Sequence, residues 1–346
     1  MSDTATGTTT STPFRMSRAR RSTAWSAVAG GLVVVVLAAL PYLVYANLTD
    51  LLVNVFILLT VATMWNLLAG YAGLISVGQQ AYLGVGAYVV LVIGDNGISP
   101  FFAIPLAALA AAVVAVPMSI PLLRLRNEYF AIATWVVAEV FRLIVLRVPS
   151  LGGGTGATLQ GLSDLDPAFR EALTYWAALA VAVVAIVATY LLLRSRIGMD
   201  LTAIRDNEVG ARSVGVRTLW AKRLVYVVAA AGAGAAGSLL IISQLNVQAG
   251  SIFSVQWSAY MIFVALIGGL GSIEGPIIGT LVFFALQQSL ADKGAWYLIL
   301  LGAIAVVFAM WVPRGIWGLI SSRFDVRLFP VGYWLHVPSA SAAKAP

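Results

Sequence analysis

The sequence predicts an all-α polytopic membrane protein with about ten transmembrane helices and both termini cytoplasmic. Three observations predict it. Of 346 residues, 60% are hydrophobic and 10% are charged, against about 25% charged in a soluble globular chain. That leaves too little charge to coat a water-soluble surface, which excludes a soluble enzyme, a disordered chain and a coiled coil. The mean hydropathy is +0.93, and apolar runs near the length of one crossing, about 20 residues, recur along the chain. Alternation with a period of two is missing, which argues against an outer-membrane barrel.

The first crossing is expected at 24–46. Before it lie residues 1–14, mostly Ser, Thr, Gly and Ala and expected to be disordered, and the basic residues Arg15, Arg18, Arg20 and Arg21. The run is longer than the apolar core of a secretory signal, about 7–15 residues, so a retained helix is expected. Further runs cover 51–69, 77–93, 101–123, 129–148, 173–193, 223–243, 256–272, 276–291 and 295–312. The chain then divides into a basic cytoplasmic tail 1–22, a transmembrane domain 23–320 and a cytoplasmic C-terminal tail 321–346.

The charges set the orientation. Lys and Arg number 21 against 14 Asp and Glu, a net charge of +7. With the N-terminus inside, 17 of the 21 basic residues fall in cytoplasmic segments, and seven of them lie in one loop, 194–223. Asp50, Asp95, Asp164, Asp166, Glu171 and Asp292 fall outside. This is the positive-inside pattern, and it explains the basic balance without nucleic acid. Cysteine is absent and the one histidine is His336. That excludes disulfides, thiolate metal sites, cysteine nucleophiles and a histidine-built metal or proton-relay site.

Two loops are long. The outer one, about 148–172, contains Gly152 to Gly156, a glycine run without the lysine of a phosphate cradle and therefore expected to be a flexible loop. The inner one, 194–222, has helical character between Leu201 and Val216, with Leu201, Ile204, Ala211 and Val214 as a patchy apolar face. Such a helix lies on the membrane surface or docks a cytoplasmic partner. Gly232-Ala-Gly234-Ala-Ala-Gly237 matches a dinucleotide fingerprint but sits inside an apolar span, where small residues serve helix packing. No lysine follows a glycine, so the chain has no P-loop.

Several polar and glycine positions are candidates for function. Gly271, Gly275 and Gly279, with Pro276 among them, form a ladder for close helix contact or a helix break beside a transport path. The stretch Gly70 to Gly86 is denser in glycine and carries Gln79 and Gln80, which bond a neighbouring helix or line a polar pathway. Glu139 lies about 15 Å into the fifth span, near mid-membrane. Arg142 follows three residues on, on the same face. Ionisable residues at that depth usually face the protein interior, as an internal ion pair or as the polar wall of a solute path. A proton-driven carrier would need further mid-span carboxylates.

Taken together and in order, these pieces are specific. From about 48 to 320 the chain resembles the permease subunit, second (M-type) of a heteromeric pair, of ABC importers for branched-chain amino acids. The resemblance is carried by Asn66 to Tyr88, by Tyr129 to Thr134, by Ala138 to Arg142 and by the loop Arg196 to Gly215. Gly268-Gly-Leu-Gly-Ser-Ile-Glu-Gly-Pro276 and Pro313-Arg-Gly-Ile-Trp-Gly318 complete it. The resemblance implies a non-catalytic permease that binds no cofactor, with ATP and Mg used by partner chains. Those partners are a second permease, two cytoplasmic ABC ATPases and an extracytoplasmic solute-binding protein, in a bacterial inner membrane.

It also implies that Ile204, Arg205, Asp206, Asn207, Glu208, Ala211 and Gly215 belong to the loop that docks on an ATPase. Gln79, Gln80, Tyr82, Glu139 and Arg142 become the candidate translocation pathway. Gly268, Gly269, Gly271, Gly275, Pro276 and Gly279 become the helix-break and packing set. Two positions depart from the pattern. Gly210 stands where the related loop commonly has alanine, and Glu274 stands where a small or apolar residue is usual; its carboxylate alters the path or faces the cytoplasm. The alternatives are the same architecture carrying urea, short amides or a sugar, and an ion-coupled secondary transporter.

Overall fold

A computed structural model describes residues 15–17, 21–42, 46–126, 128–162, 166–290, 296–312, 314–324, 329 and 334–336. Most of the tail 1–22 and most of the tail 321–346 lie outside the described residues, as do Asp164, Asp292, Lys293 and Pro313.

In lipid a backbone must satisfy its own hydrogen bonds, so apolar runs become helices. In chain order these are α1 (Arg21–Ala39), α2 (Ala46–Asn66), α3 (Gln80–Asp95), α4 (Pro100–Leu122), α5 (Glu128–Leu146), α6 (Pro167–Arg194) and α7 (Arg196–Asp206). There follow α8 (Glu208–Ser213), α9 (Thr218–Gln244), α10 (Ala249–Ile252), α11 (Val255–Gly268), α12 (Glu274–Leu290), α13 (Trp296–Trp311) and α14 (Gly315–Phe324). The chain is thus an all-α membrane protein. Among the described residues, six helical stretches are long and apolar enough to cross a membrane, and the bent pair Ile299–Trp311 and Gly315–Arg323 makes up to seven. The runs expected at 24–46 and 77–93 are met by shorter apolar helices, Val28–Tyr42 and Gln80–Asp95.

The centre is built by α2, α3 and α9. Helix α9 packs on α2, α3 and α4, while α2 also packs on α6, α11 and α12. Small residues allow this approach. A Cβ on Gly237 would overlap the Leu83 carbonyl of α3, and one on Gly234 would overlap Ala107 and Ala111 of α4. The dinucleotide-like spacing on α9 is therefore packing. Two apolar clusters follow. One holds Phe56, Leu91, Tyr175 and Leu240, and the other holds Met64, Tyr82, Phe130 and Tyr226.

Three local expectations are corrected. Helix α6 begins at Pro167, earlier than 173, because Asp166 caps it by accepting from Ala168 N at 2.9 Å and Phe169 N at 3.2 Å. The glycine run of the outer loop is a tight turn, closed by Gly156 N donating to Gly152 O at 3.1 Å. It leads into the short strand Ala157–Thr158, which pairs antiparallel with Asn246–Val247. The inner segment is two helices, α7 and α8, rather than one continuous face. Near the chain ends, Arg15–Ser17 pairs antiparallel with Trp334–His336.

Candidate functional site

Two interrupted helices meet beneath the charged loop. Helix α2 ends at Asn66 and continues as one π-helical turn, Leu67–Tyr71. No helix forms again until Gln80. Non-helical backbone in a membrane chain needs partners from the protein, and here side chains supply them. Trp65 Nε1 donates to Ser76 O at 2.7 Å, and Thr134 Oγ1 of α5 accepts from Val77 N at 3.1 Å. Gln80 Nε2 donates to Val77 O at 3.0 Å. Gly78 lies so close to Thr134 that a Cβ would overlap its carbonyl.

The second break separates α11 from α12. Gly269 and Gly271 turn the chain with φ of 129° and 75°, a region that favours glycine. A Cβ on Gly268 would overlap the Gly275 carbonyl, and one on Gly279 would overlap that of Val264. The ladder thus gives close helix contact and a break together, with Pro276 buried in the first turn of α12. Asn66 joins the two breaks: its Nδ2 donates to Ser272 O at 2.8 Å and its Oδ1 accepts from Gly271 N at 2.9 Å. Glu274 does not face solvent. It is 5% exposed, and Oε1 accepts from Phe329 N at 2.9 Å.

Helices α7 and α8 dock onto this hub. Ser195 caps α7 by accepting from Ile197 N. Leu201, Ile204 and Ala211 are buried in the same apolar cluster as Leu67 and Tyr71. Burying one aliphatic side chain is worth about 1.5–3 kcal/mol, so these residues anchor the loop. Arg205 Nη1 donates to Gly70 O at 2.9 Å, and its Nε lies 3.3 Å from Asp206 Oδ1. Asn207 breaks the helix and caps α8 by accepting from Gly210 N at 2.9 Å. A Cβ on Gly210 would lie 3.4 Å from Asn207 Cγ, so alanine nearly fits there. The break turns Val214 out, 79% exposed beside Gly215, which corrects its expected place on the apolar face.

Glu208 ties α8 to α9. Its carboxylate meets Arg212 Nη2 at 2.6 Å and Lys222 Nζ at 2.7 Å, while Arg212 Nε donates to Thr218 Oγ1 at 3.1 Å. Partial burial pushes the Glu208 carboxyl up, but Lys222 and then Arg212 outweigh it and hold it below the usual carboxylate range. Asp206, Asn207, Val209 and Val214 remain exposed at the tip. The loop is thus anchored on one side and offers charged and apolar groups on the other.

The remaining candidates divide. Gln80 Oε1 accepts from Ser258 Oγ at 2.5 Å, and Tyr82 Oη donates to Tyr226 Oη at 2.8 Å. Gln79 is 1% exposed, and neither of its amide atoms has a hydrogen-bond partner among the described residues. Glu139 and Arg142 are joined by Nε contacts of 2.9 and 3.1 Å and by Nη2 to Oε1. Their side chains are 44% and 30% exposed, so the pair does not face the interior of this chain. Sequence reasoning missed Asn66, Thr134 and Lys222. Asn66 carried a signal, as a lone amide ending an apolar run.

A helical membrane chain with interrupted spans has the build of a transport component. The profile of the family described as "Branched-chain amino acid transport system / permease component" matches residues 47–309, and the chain belongs to that family. It is similar to the high-affinity branched-chain amino acid transport system permease protein LivM of Salmonella typhimurium, 26% identical over 309 residues, covering 82% of this chain and 72% of that protein. The probable LivM of Methanocaldococcus jannaschii is 27% identical over 184 residues, 52% of this chain and 53% of that one. The glucose ABC transporter permease protein TsgB13 of Haloferax volcanii is 30% identical over 236 residues, 62% of this chain and 61% of that one. No solved structure matches the chain.

Proposed function

We propose that this chain is the M-type permease of a binding-protein-dependent importer of branched-chain amino acids in a bacterial inner membrane. It pairs with a second permease and binds no cofactor. Two cytoplasmic ABC ATPases hydrolyse ATP with Mg, and an extracytoplasmic protein delivers the solute. About ten helices cross, with both termini inside; the pairing of Arg15–Ser17 with Trp334–His336 supports termini on one side. Residues 1–22 and 321–346 are cytoplasmic tails around the transmembrane domain 23–320.

The observation that carries this reading is the loop anchored through Leu201, Ile204, Ala211 and Arg205 while Asp206, Asn207 and Val209 stay exposed. Such a loop transmits rigid-body motion of an ATPase into the membrane. Gly215 ends it with φ of 88° and open space around it. Of the pathway candidates, Gln79 keeps free amide groups, while Gln80 and Tyr82 hold the walls in place. The test is the complete importer in proteoliposomes, with Asp206→Ala, Val209→Asp and Val214→Asp combined. The expected result is an inserted permease that no longer retains the ATPases and shows no uptake; retention with normal uptake would overturn docking at this loop.

The likeness to TsgB13 favours one second reading, a sugar importer. Titrating the partner binding protein with leucine, valine and glucose separates the two.

A further inference from the structure

Helices α4 and α5 each present a face that the described residues do not cover. On α4 that face is apolar throughout, including Phe102 at 75%, Leu109 at 60% and Val113 at 61% exposure. It suits lipid. On α5, Trp135, Val136 and Leu143 are about half exposed, and Glu139 and Arg142 stand among them. Glu139 is about 16 Å into a helix about 28 Å long. Charged groups at mid-membrane face a protein partner or a water-filled path rather than lipid.

We propose that Glu139 and Arg142 form a recognition site for the headgroup of a zwitterionic α-amino acid, on a path closed by the second permease. This rests on the reading as an amino-acid permease. The chemistry is complementary at two points. The guanidinium takes the solute carboxylate bidentately, as that group does best, and the Glu139 carboxylate takes the ammonium. Each residue exchanges its neighbour for an equivalent charge on the solute, so the ion pair opens at little cost. A sugar or urea offers no charge in return and would leave two desolvated ions apart, which is costly. Trp135, Val136 and Leu143 flank the pair with apolar surface suited to an aliphatic side chain.

The test uses the complete importer in proteoliposomes, with uptake of a panel of labelled α-amino acids, glucose and urea. Three variants are compared: Glu139→Gln, Arg142→Gln and the swap Glu139→Arg with Arg142→Glu. The swap keeps an ion pair and the net charge but reverses the two contact points. The expected result is that the swap still assembles with the second permease, while amino-acid uptake falls at least tenfold and does not recover relative to the single variants. Wild-type uptake in the swap would overturn the proposal, because a structural ion pair alone would be restored. Wild-type uptake in both single variants would overturn it too. Should the wild type carry α-amino acids other than branched-chain ones, the solute reading falls and this inference stands. Uptake of glucose or urea alone would sink both.

Discussion

Arg205 Nη1 donates to the carbonyl of Gly70 at 2.9 Å, joining helix α7 to the π-helical turn that interrupts α2. Gly271 lies against the same guanidinium, with a Cβ there 3.1 Å from Nη1. One side chain therefore touches both breaks. A shift of α7 has a direct route to the unwound stretch before α3, and through Asn66 to the turn between α11 and α12.

Arg205→Ala should loosen that route without unfolding the chain. A hydrogen bond to a charged group is worth about 1.5–3 kcal/mol, and partial exposure at this site puts the loss near about 1 kcal/mol. The docked state should lose roughly fivefold in population. Uptake per ATP hydrolysed in the reconstituted importer is the measurement. Arg205→Lys should recover part of it, because lysine keeps the charge but not the planar fork. Unchanged coupling in Arg205→Ala would show that Leu201 and Ile204 alone carry the contact.

Much of this architecture was legible in the sequence, for identifiable reasons. Apolar runs fix where helices form, and that signal is local. The glycines of α9 read correctly as packing because an apolar span has no use for a phosphate cradle. Val214 falls outside the apolar face because the segment 201–216 is not one helix. Asn207 stops that helix, and the chain leaves α8 with Val214 turned out. The exposure of Glu139 and Arg142 was equally invisible. Helical spacing shows that they share a face but not which neighbours cover it. Asn66 could not be assigned, since its partners at Gly271 and Ser272 lie some 200 residues away, with separations of 205 and 206.

Two glycine substitutions should behave oppositely. Gly78→Ala puts a methyl group into the backbone carbonyl of Thr134, which cannot step aside as a side chain would. Overpacking costs about 1–3 kcal/mol, and backbone contact puts this case at the upper end. The purified chain should melt several degrees lower in detergent or fail to accumulate. Gly30 in α1 has nothing within 4 Å of an added Cβ. Gly30→Ala should be neutral or stabilising, by up to about 1 kcal/mol of helix propensity. Equal losses in both would refute the close approach of the unwound stretch before α3 to α5.

The clamp on Glu208 predicts a pH dependence with a definite sign. Its carboxyl is held below the ordinary range by Lys222 and Arg212. A depressed folded-state pKa gives stability that is present above the unfolded value and is lost as pH falls through the folded value. Attachment of α8 to α9 should therefore be flat from neutral pH down to the ordinary carboxylate range and weaken only below it. Proteolysis near Val214, followed as pH is lowered, reads this opening. Glu208→Gln should show the open, cleavable loop already at neutral pH, and a variant as protected as the parent would remove the clamp from the account.

Asn66 supplies the most stringent test of the hub. Both ends of its amide meet backbone groups of the α11–α12 turn, and the residue is 1% exposed. Asn66→Ala leaves Ser272 O and Gly271 N without these partners in a buried setting, at about 1–3 kcal/mol for each group. Asn66→Asp keeps the acceptor for Gly271 N but sets a carboxylate oxygen against Ser272 O, so two acceptors face each other. The order of melting temperature should be parent, then alanine, then aspartate at neutral pH. Acidification should rescue the aspartate variant, since a protonated carboxyl can donate to Ser272 O as the amide does. An aspartate variant that melts with the parent at neutral pH would mean that the amide does not bridge the two breaks.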